Sequence, residues 1–277
     1  MEILRYSAFT TDPKGGNPAG VVLDAAGLDD AAMQAIAADV GYSETAFLFH
    51  EDGRVRVRYF SPLAEVPFCG HATIATAAAY AERFGLGPLR FESRVGAIEV
   101  ETRVGVDGLT ATLRSVPPHT TPMADATVRE LLAALRWDAA DLDPALPVRV
   151  AYAGASHPIV AAGTRQRLAD LDYDVPALTA LMARHDWTTV DLVWQESATV
   201  FHARNPFPPG GVYEDPATGA AAAALGGYLR ELGLVEVPAT LRVHQGDDMG
   251  RPSLVTVEVA ADPGSGVAVT GTAVPID

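Results

Sequence analysis

A short frame, Glu-x-Pro-x-x-Gly followed by an alanine-rich run, occurs twice in this chain. Placing Gly70 on Gly219 also places Glu65 on Glu214, Pro67 on Pro216, Ala72 on Ala221, Ala75 on Ala224 and Glu82 on Glu231. Each copy reads as a loop, a glycine and then a helix. Farther upstream, Asn17-Pro18 has a counterpart in His157-Pro158, each ahead of an apolar run, a helix and a strand. Matched segments at equivalent places are the mark of an internal repeat, so the chain is read as two related halves. Its 277 residues suit two domains of ordinary size.

The periodicity between the frames is mostly that of strands. Val55, Val57 and Tyr59 alternate with arginines, Leu89 and Phe91 with Arg90 and Glu92, and Ile98, Val100 and Thr102 with Glu99 and Glu101. Leu109 to Leu113, Leu254 to Val259 and Val267 to Val274 read the same way. Helical spacing appears at Met33, Ile36, Ala37 and Val40. It recurs at Val128, Leu131, Leu132 and Leu135, where Thr127 and Glu130 are spaced as a capping box, and about Pro176 to His185 a third helix opens with proline. The fold class is therefore α+β with much antiparallel sheet. The segment VPPHTTPMADA is proline-rich and aperiodic and is read as a linker. The expected division is 1–117, a linker at 118–126, and 127–277, with a strand near 267–277 returning to the first half.

Composition then removes whole classes of function. With 20 Lys+Arg against 35 Asp+Glu, a net charge of −15 and a pI near 4.8, the chain lacks the basic stripes that nucleic-acid binding needs. One cysteine excludes a disulfide framework and thiolate zinc clusters. No charge-free run is long enough to span a membrane, and MEILRYSAFTTD has no basic region leading into an apolar core, so a cytoplasmic location is expected. The 7 histidines show no HExxH pattern. There is no G-x-G-x-x-G after a strand, no Walker lysine and no G-x-S-x-G elbow. Lys14 is the sole lysine, which leaves no Schiff-base lysine elsewhere. Neither a metal nor a cofactor is expected.

What remains is acid–base and anion chemistry. A glycine opening a helix exposes unpaired N–H groups at the positive end of the helix dipole, a natural seat for a carboxylate or phosphate. The alternative is that Gly70 and Gly219 only let small-residue helices pack closely. The copies also diverge: Val66 in the first frame is Asp215 in the second, and His71 in the first is Ala220 in the second. An ionisable group thus survives on each side. Glu44, flanked by Ser43 and Thr45 where an apolar strand begins, is a third candidate: such a carboxylate would be partly desolvated, as a general acid or base needs to be, the alternative being a strand-edge glutamate pointing to water. The corresponding stretch of the second half, Trp187 to Trp194, offers only Asp191, in no matching context. Cys69 beside Gly70 could act as a thiolate at a helix N-terminus.

These residues carry a resemblance. Phe9 with Gly16-Asn17-Pro18-Ala19, Ser43-Glu44-Thr45-Ala46-Phe47, Phe68-Cys69-Gly70-His71-Ala72-Thr73, Glu214-Asp215-Pro216-Ala217-Thr218-Gly219, and Gln245-Gly246 with Gly250-Arg251-Pro252-Ser253 occur in order over nearly the whole chain. Together they resemble the phenazine-biosynthesis PhzF-like isomerase family. The resemblance implies two pseudo-symmetric diaminopimelate-epimerase-like domains, each a curved, mostly antiparallel sheet around a central helix, with the active site in the cleft between them. It implies cofactor-independent isomerisation of a small carboxylate-bearing metabolite, in a homodimer. Glu44 would carry the proton between carbons, with His71 and Asp215 orienting and polarising the substrate. Asn17, Gly70, Thr73, Gly219 and Ala220 would hold its anionic group. One position departs: the family commonly has serine where this chain has Ala220. Two rivals are a thiol-assisted enzyme using Cys69 and a non-catalytic binding protein on the same scaffold.

Overall fold

The computed structural model describes residues 1–277. The chain forms two compact units, Met1–Arg114 with Thr270–Asp277, and Ser115–Val269. The first unit contains β1 (Leu4–Ala8), β2 (Asn17–Val22), α1 (Asp30–Val40), β3 (Glu44–Glu51), β4 (Arg54–Phe60), β5 (Glu65–Val66), α2 (Gly70–Phe84), β6 (Pro88–Ser93), β7 (Gly96–Gly105) and β8 (Gly108–Arg114). The second contains β9 (His119–Pro122), α3 (Asp125–Leu135), β10 (Arg149–Tyr152), β11 (Ser156–Ala161), α4 (Arg165–Ala169), α5 (Val175–His185), β12 (Asp191–Ser197), β13 (Val200–Pro206), β14 (Glu214–Asp215), α6 (Gly219–Glu231), β15 (Ala239–Gln245) and β16 (Ser253–Val259). The last strand, β17 (Ala268–Pro275), runs antiparallel to β1, with Val274 opposite Ser7.

In the first unit β1, β2, β3, β4, β6, β7 and β8 pair in turn, and β17 joins β8 back to β1, so the sheet closes around α2. A helix enclosed by strands has no solvent face, which is why α2 is apolar all round and small: Ala72, Ala75, Ala77, Ala78 and Ala79 are all buried. The second unit repeats the plan, with β9, β10, β11, β12, β13, β15 and β16 pairing in turn and α6 packed against β9, β10, β11 and β16. Close approach is built into α6. A Cβ on Gly227 would stand 2.3 Å from the Pro118 side chain, so only glycine fits. Outer helices cover the sheets: Met33 and Ala37 of α1 pack on Val22, Phe47 and Phe60, and α3 and α5 share a cluster of Leu131, Leu135, Leu178 and Met182.

Two local expectations are corrected. The aperiodic stretch read as a linker contains β9, which pairs antiparallel with β10, Thr121 opposite Val150. Pro118 precedes this edge strand and Pro122 ends it, where a missing N–H costs no ladder bond, and Glu231 at the end of α6 anchors it by accepting from the Thr120 N–H at 2.7 Å and its hydroxyl at 2.6 Å. Thr127 and Glu130 form no capping box, since α3 already starts at Asp125 behind Ala124 and Glu130 pairs with Arg184 of α5.

Candidate functional site

The first unit gathers its candidates at one corner. Asn17 opens β2, Glu44 opens β3, Cys69 immediately precedes α2, and His71 stands in the first turn of α2. Glu44 Oε2 lies 3.3 Å from His71 Nε2, with side-chain exposures of 13% and 7%. Ser43 Oγ is also 3.3 Å from Nε2. On the other side of the ring the Asn17 amide nitrogen lies 3.1 Å from Nδ1. With that amide donating, Nδ1 accepts and the ring proton sits on Nε2, aimed at the carboxylate. Glu44 is thus a desolvated carboxylate with an imidazole N–H beside it, which can hold or pass on a proton.

The start of α2 adds an anion seat. Its first intrahelical bond runs from the Thr73 N–H to the Cys69 carbonyl, and no side chain caps the end. The N–H groups of Gly70, His71 and Ala72 therefore have no acceptor within the helix. A Cβ on Gly70 would meet nothing within 4 Å, so close packing does not explain this glycine; it keeps the helix end open. Thr73 is a correction. Its hydroxyl donates to the Cys69 carbonyl at 2.7 Å and contacts Tyr59 Oη at 2.7 Å, its N–H is taken by the helix, and it is fully buried. No donor of Thr73 is left for an anionic ligand.

The second frame is built from different bonds. Asp215 is buried, and its Oδ2 accepts from the Thr218 hydroxyl at 2.5 Å. Gln245 clamps the loop, donating to the Asp215 carbonyl at 2.7 Å while its Oε1 accepts from the Thr218 N–H at 3.0 Å. Gly246 lets β15 turn beside this loop: at φ +80° its Cβ would lie 2.2 Å from the Arg251 carbonyl oxygen and 2.8 Å from that of Pro216. The first bond of α6 is Ala222 N–H to Thr218 carbonyl, so Gly219, Ala220 and Ala221 carry the helix-opening N–H groups. The frame glutamates themselves hold the hairpins. Glu214 takes a bidentate pair from Arg204 at 2.5 and 2.8 Å, and Glu65 takes one from Arg58 at 2.6 and 2.8 Å.

Strand register shows what spacing did not. In the parallel pair β2–β3, Ala19 faces Glu44; in the parallel pair β11–β12, Ile159 faces Asp191. Since Asn17 and His157 each stand two residues before those partners, Asp191 is the structural counterpart of Glu44, and His157 of Asn17. The match stops at this pair: Phe60 faces both Thr45 and the frame residue Glu65, whereas Leu192 faces Arg204 and the second frame's Glu214 faces Pro206. In the parallel pair Asp191 matches Glu44 in register, although its surroundings differ. It was missed because the match is of register, not of neighbouring residue types; counting forward from the paired Asn-Pro and His-Pro steps was the available signal.

The second-unit corner is a linear chain whose two ends, His157 Nε2 and Asp191 Oδ2, are buried without a partner. His157 Nδ1 donates to Thr189 Oγ1 at 2.8 Å, Thr189 Oγ1 donates to Asn205 Oδ1 at 2.6 Å, and Asn205 Nδ2 donates to Asp191 Oδ1 at 3.0 Å. Asp191 and His157 are 1% and 0% exposed. Burial pushes the Asp191 carboxyl up to about 7, opposed by the Asn205 hydrogen bond, and pushes the His157 imidazole down to about 4, opposed by Thr189. Both groups are neutral near pH 6.

Glu44, Cys69 and His71 each place a metal-ligating atom within 4.8 Å of the others. Cys69 Sγ, 3.4 Å from His71 Nδ1 and 3.9 Å from Nε2, is off the Nε2 lone-pair direction where Glu44 stands, so one metal cannot be bonded to all three.

Comparison with known proteins agrees over the full length. The family model described as "Phenazine biosynthesis-like protein" matches residues 6–277. An uncharacterized isomerase of Escherichia coli K12, YddE, is 34% identical, covering 99% of this chain and 95% of that one. The trans-2,3-dihydro-3-hydroxyanthranilate isomerase of Pseudomonas fluorescens is 32% identical over 90% of this chain and 86% of its own length. The crystal structure of a PhzF-family phenazine biosynthesis protein from Bacillus anthracis superposes with a TM-score of 0.89 at 28% identity, covering 100% and 98% of the two chains. The fold is the one the sequence resemblance implies.

Proposed function

The chain belongs to the phenazine biosynthesis-like protein family, and on that premise we propose that it is a cofactor-independent isomerase that moves a proton between carbons of a small carboxylate-bearing metabolite. Glu44 takes the proton from one carbon and returns it to another. His71, its Nε2–H directed at Glu44, steadies the charge that appears on the carboxylate and orients the substrate. Asn17 acts as a positioning residue by fixing the ring tautomer. The open first turn of α2 holds the substrate carboxylate. The observation that carries this reading is the Glu44–His71 pair, 3.3 Å apart and mostly shielded from solvent, with Asn17 holding the ring beside an uncapped helix start.

A solvent-deuterium exchange screen tests it. Small cyclic and acyclic amino- and hydroxy-carboxylates are incubated in D2O, with trans-2,3-dihydro-3-hydroxyanthranilate included because a relative is named for acting on it. At least one should incorporate deuterium with wild-type protein and none with Glu44→Gln at unchanged circular dichroism. Undiminished exchange in that variant removes Glu44 from the chemistry. The Cys69 thiol, 3.4 Å from His71 Nδ1, supports a second reading in which the thiolate is the base. Cys69→Ser separates the two, because the carboxylate mechanism survives it. That Glu44 is 13% exposed and 3.3 Å from His71 supports the catalytic reading over a non-catalytic binding protein on the same scaffold.

A further inference from the structure

We infer that Ser43 is a positioning residue of the first corner, its hydroxyl taking the His71 Nε2–H in the half of the cycle when Glu44 carries the proton. The catalytic meaning of this bond rests on the proton-transfer reading above; the bond itself rests on geometry. Ser43 Oγ and Glu44 Oε2 each stand 3.3 Å from His71 Nε2, so one N–H has two oxygen acceptors. Both contacts are slightly longer than a single N–H···O bond, as expected of one proton shared between two oxygens. The ring presents that N–H because the Asn17 amide, 3.1 Å from Nδ1, donates to the other nitrogen. The backbone is shaped for the same convergence. Successive side chains of an extended strand point to opposite faces, which would part Ser43 from Glu44. Here Gly41, at φ +72°, ends α1 in the left-handed region, the chain bends at Tyr42 and Ser43, and β3 begins only at Glu44. Thr45, on the other side of Glu44, has no such place: its hydroxyl lies over Gly20, where a Cβ would come within 2.6 Å of it.

The two acceptors answer to different states of the site. An ionised carboxylate is the stronger of the two, since a charge-assisted hydrogen bond is roughly twice as strong as a neutral one. While Glu44 is charged, the Nε2–H leans toward it. When a substrate C–H bond breaks, its electron pair stays on the substrate, the proton forms an O–H bond on Glu44, and the carboxylate loses its charge. The Nε2–H would then face a neutral acid in a corner mostly shielded from water, where an unsatisfied donor is costly. Ser43 Oγ accepts it instead, so the ring keeps its plane and Glu44 returns the proton from an unchanged place. A hydroxyl suits this role because it accepts on a lone pair and keeps its own O–H for another partner. Asn17 and Ser43 thus hold the imidazole from its two nitrogens.

Nitrogen NMR of the full-length protein carrying isotopically labelled histidine reads the bond without any substrate. His71 should give an Nε2–H cross-peak that exchanges slowly with water, assigned by its loss in His71→Gln. The peak should persist in Glu44→Gln, whose neutral amide stands in for the protonated carboxyl. It should broaden into exchange in Ser43→Ala and return in Ser43→Thr, which keeps the hydroxyl. Its absence from wild-type protein, its survival in Ser43→Ala or its loss in Glu44→Gln each overturns the proposal. Circular dichroism checks folding, and Ser43→Gly makes the same deletion should Ser43→Ala not fold. The role in turnover is read in the deuterium-exchange assay, on the carboxylate that the screen above identifies. There Ser43→Ala should lower kcat about tenfold with KM nearly unchanged, the effect of one lost hydrogen bond, and Ser43→Thr should recover most of it. Full kcat in Ser43→Ala, or a loss confined to KM, overturns the positioning role. Exchange undiminished in Glu44→Gln removes the proton-transfer reading instead and leaves the cross-peak pattern to judge the bond.

Discussion

The corner at Glu44 and the corner at Asp191 occupy the same place in two copies of one plan, yet they hold opposite kinds of carboxylate. Glu44 is partly open to solvent and has an imidazole N–H at 3.3 Å. Asp191 is sealed, reached only through Asn205, and driven toward its neutral form by burial. The partner histidine has moved as well: in the first unit it stands on the central helix, in the second it replaces Asn17 on the strand. Burial without an opposing charge turns a carboxylate from a reagent into a structural acid. Duplication supplied two equivalent places, and solvent access divided their roles.

The largest effect should come from Glu44→Gln, which keeps shape and hydrogen bonding but removes the proton carrier. Exchange into the substrate should fall by about 10²–10⁴-fold. Asp191→Asn should leave exchange nearly unchanged, and an equal loss in both variants would erase the distinction between the corners. Next in size is the frame glutamate. Removing Glu214 leaves Arg204 charged and buried, so Glu214→Ala should cost about 3–5 kcal/mol in urea unfolding. Glu65→Ala should cost less, because its partner Arg58 keeps Asp30 at 2.6 Å.

The pH dependence of stability sharpens the contrast further. The folded value for Asp191 lies above its ordinary 3.8, so its contribution is present at low pH and is lost as pH rises through about 7. The folded value for His157 lies below its ordinary 6.5, so its contribution is present above that and is lost as pH falls toward about 4. Between those limits the slopes cancel in the native protein. Each single variant should uncover one of them. His157→Gln should lose stability as pH rises from 4 toward 7, and Asp191→Asn should gain it over 4 to 6.5, each by at most ~1.4 kcal/mol per pH unit. Melting temperatures across pH 4–8 would show two lines of opposite sign; parallel lines would break the picture of a neutral buried pair. The smallest effect concerns Ala220. Ala220→Ser should tighten binding of a carboxylate at the start of α6 by about tenfold or more, since a hydrogen bond to a charged group contributes about 1.5–3 kcal/mol. Titration calorimetry reads this directly.

Much of this was legible in the chain. The two Glu-x-Pro-x-x-Gly frames disclosed the repeat, and alternation located most strands. His71 and Asp215 stood out as the ionisable residues left where the copies differ, and Glu44 as a carboxylate at the start of an apolar strand. Other features were not legible. Thr73 carries a hydroxyl in the right motif, but helix geometry turns it back onto Cys69 and Tyr59. The segment around His119 has no strand periodicity, yet an open sheet edge and the Glu231 carboxylate make it β9. Asp191 looked like an ordinary acid until register aligned it with Glu44.

The sequence by itself determined the repeat, the α+β class, the family and the residue types available for chemistry, because periodicity and motifs are local properties of the chain. The tertiary structure decided which carboxylate stays in contact with water, which histidine stands beside it, and that the one cysteine comes within reach of both. Those outcomes depend on strand register and on burial, and burial is set by residues distant in the chain that the sheet brings together.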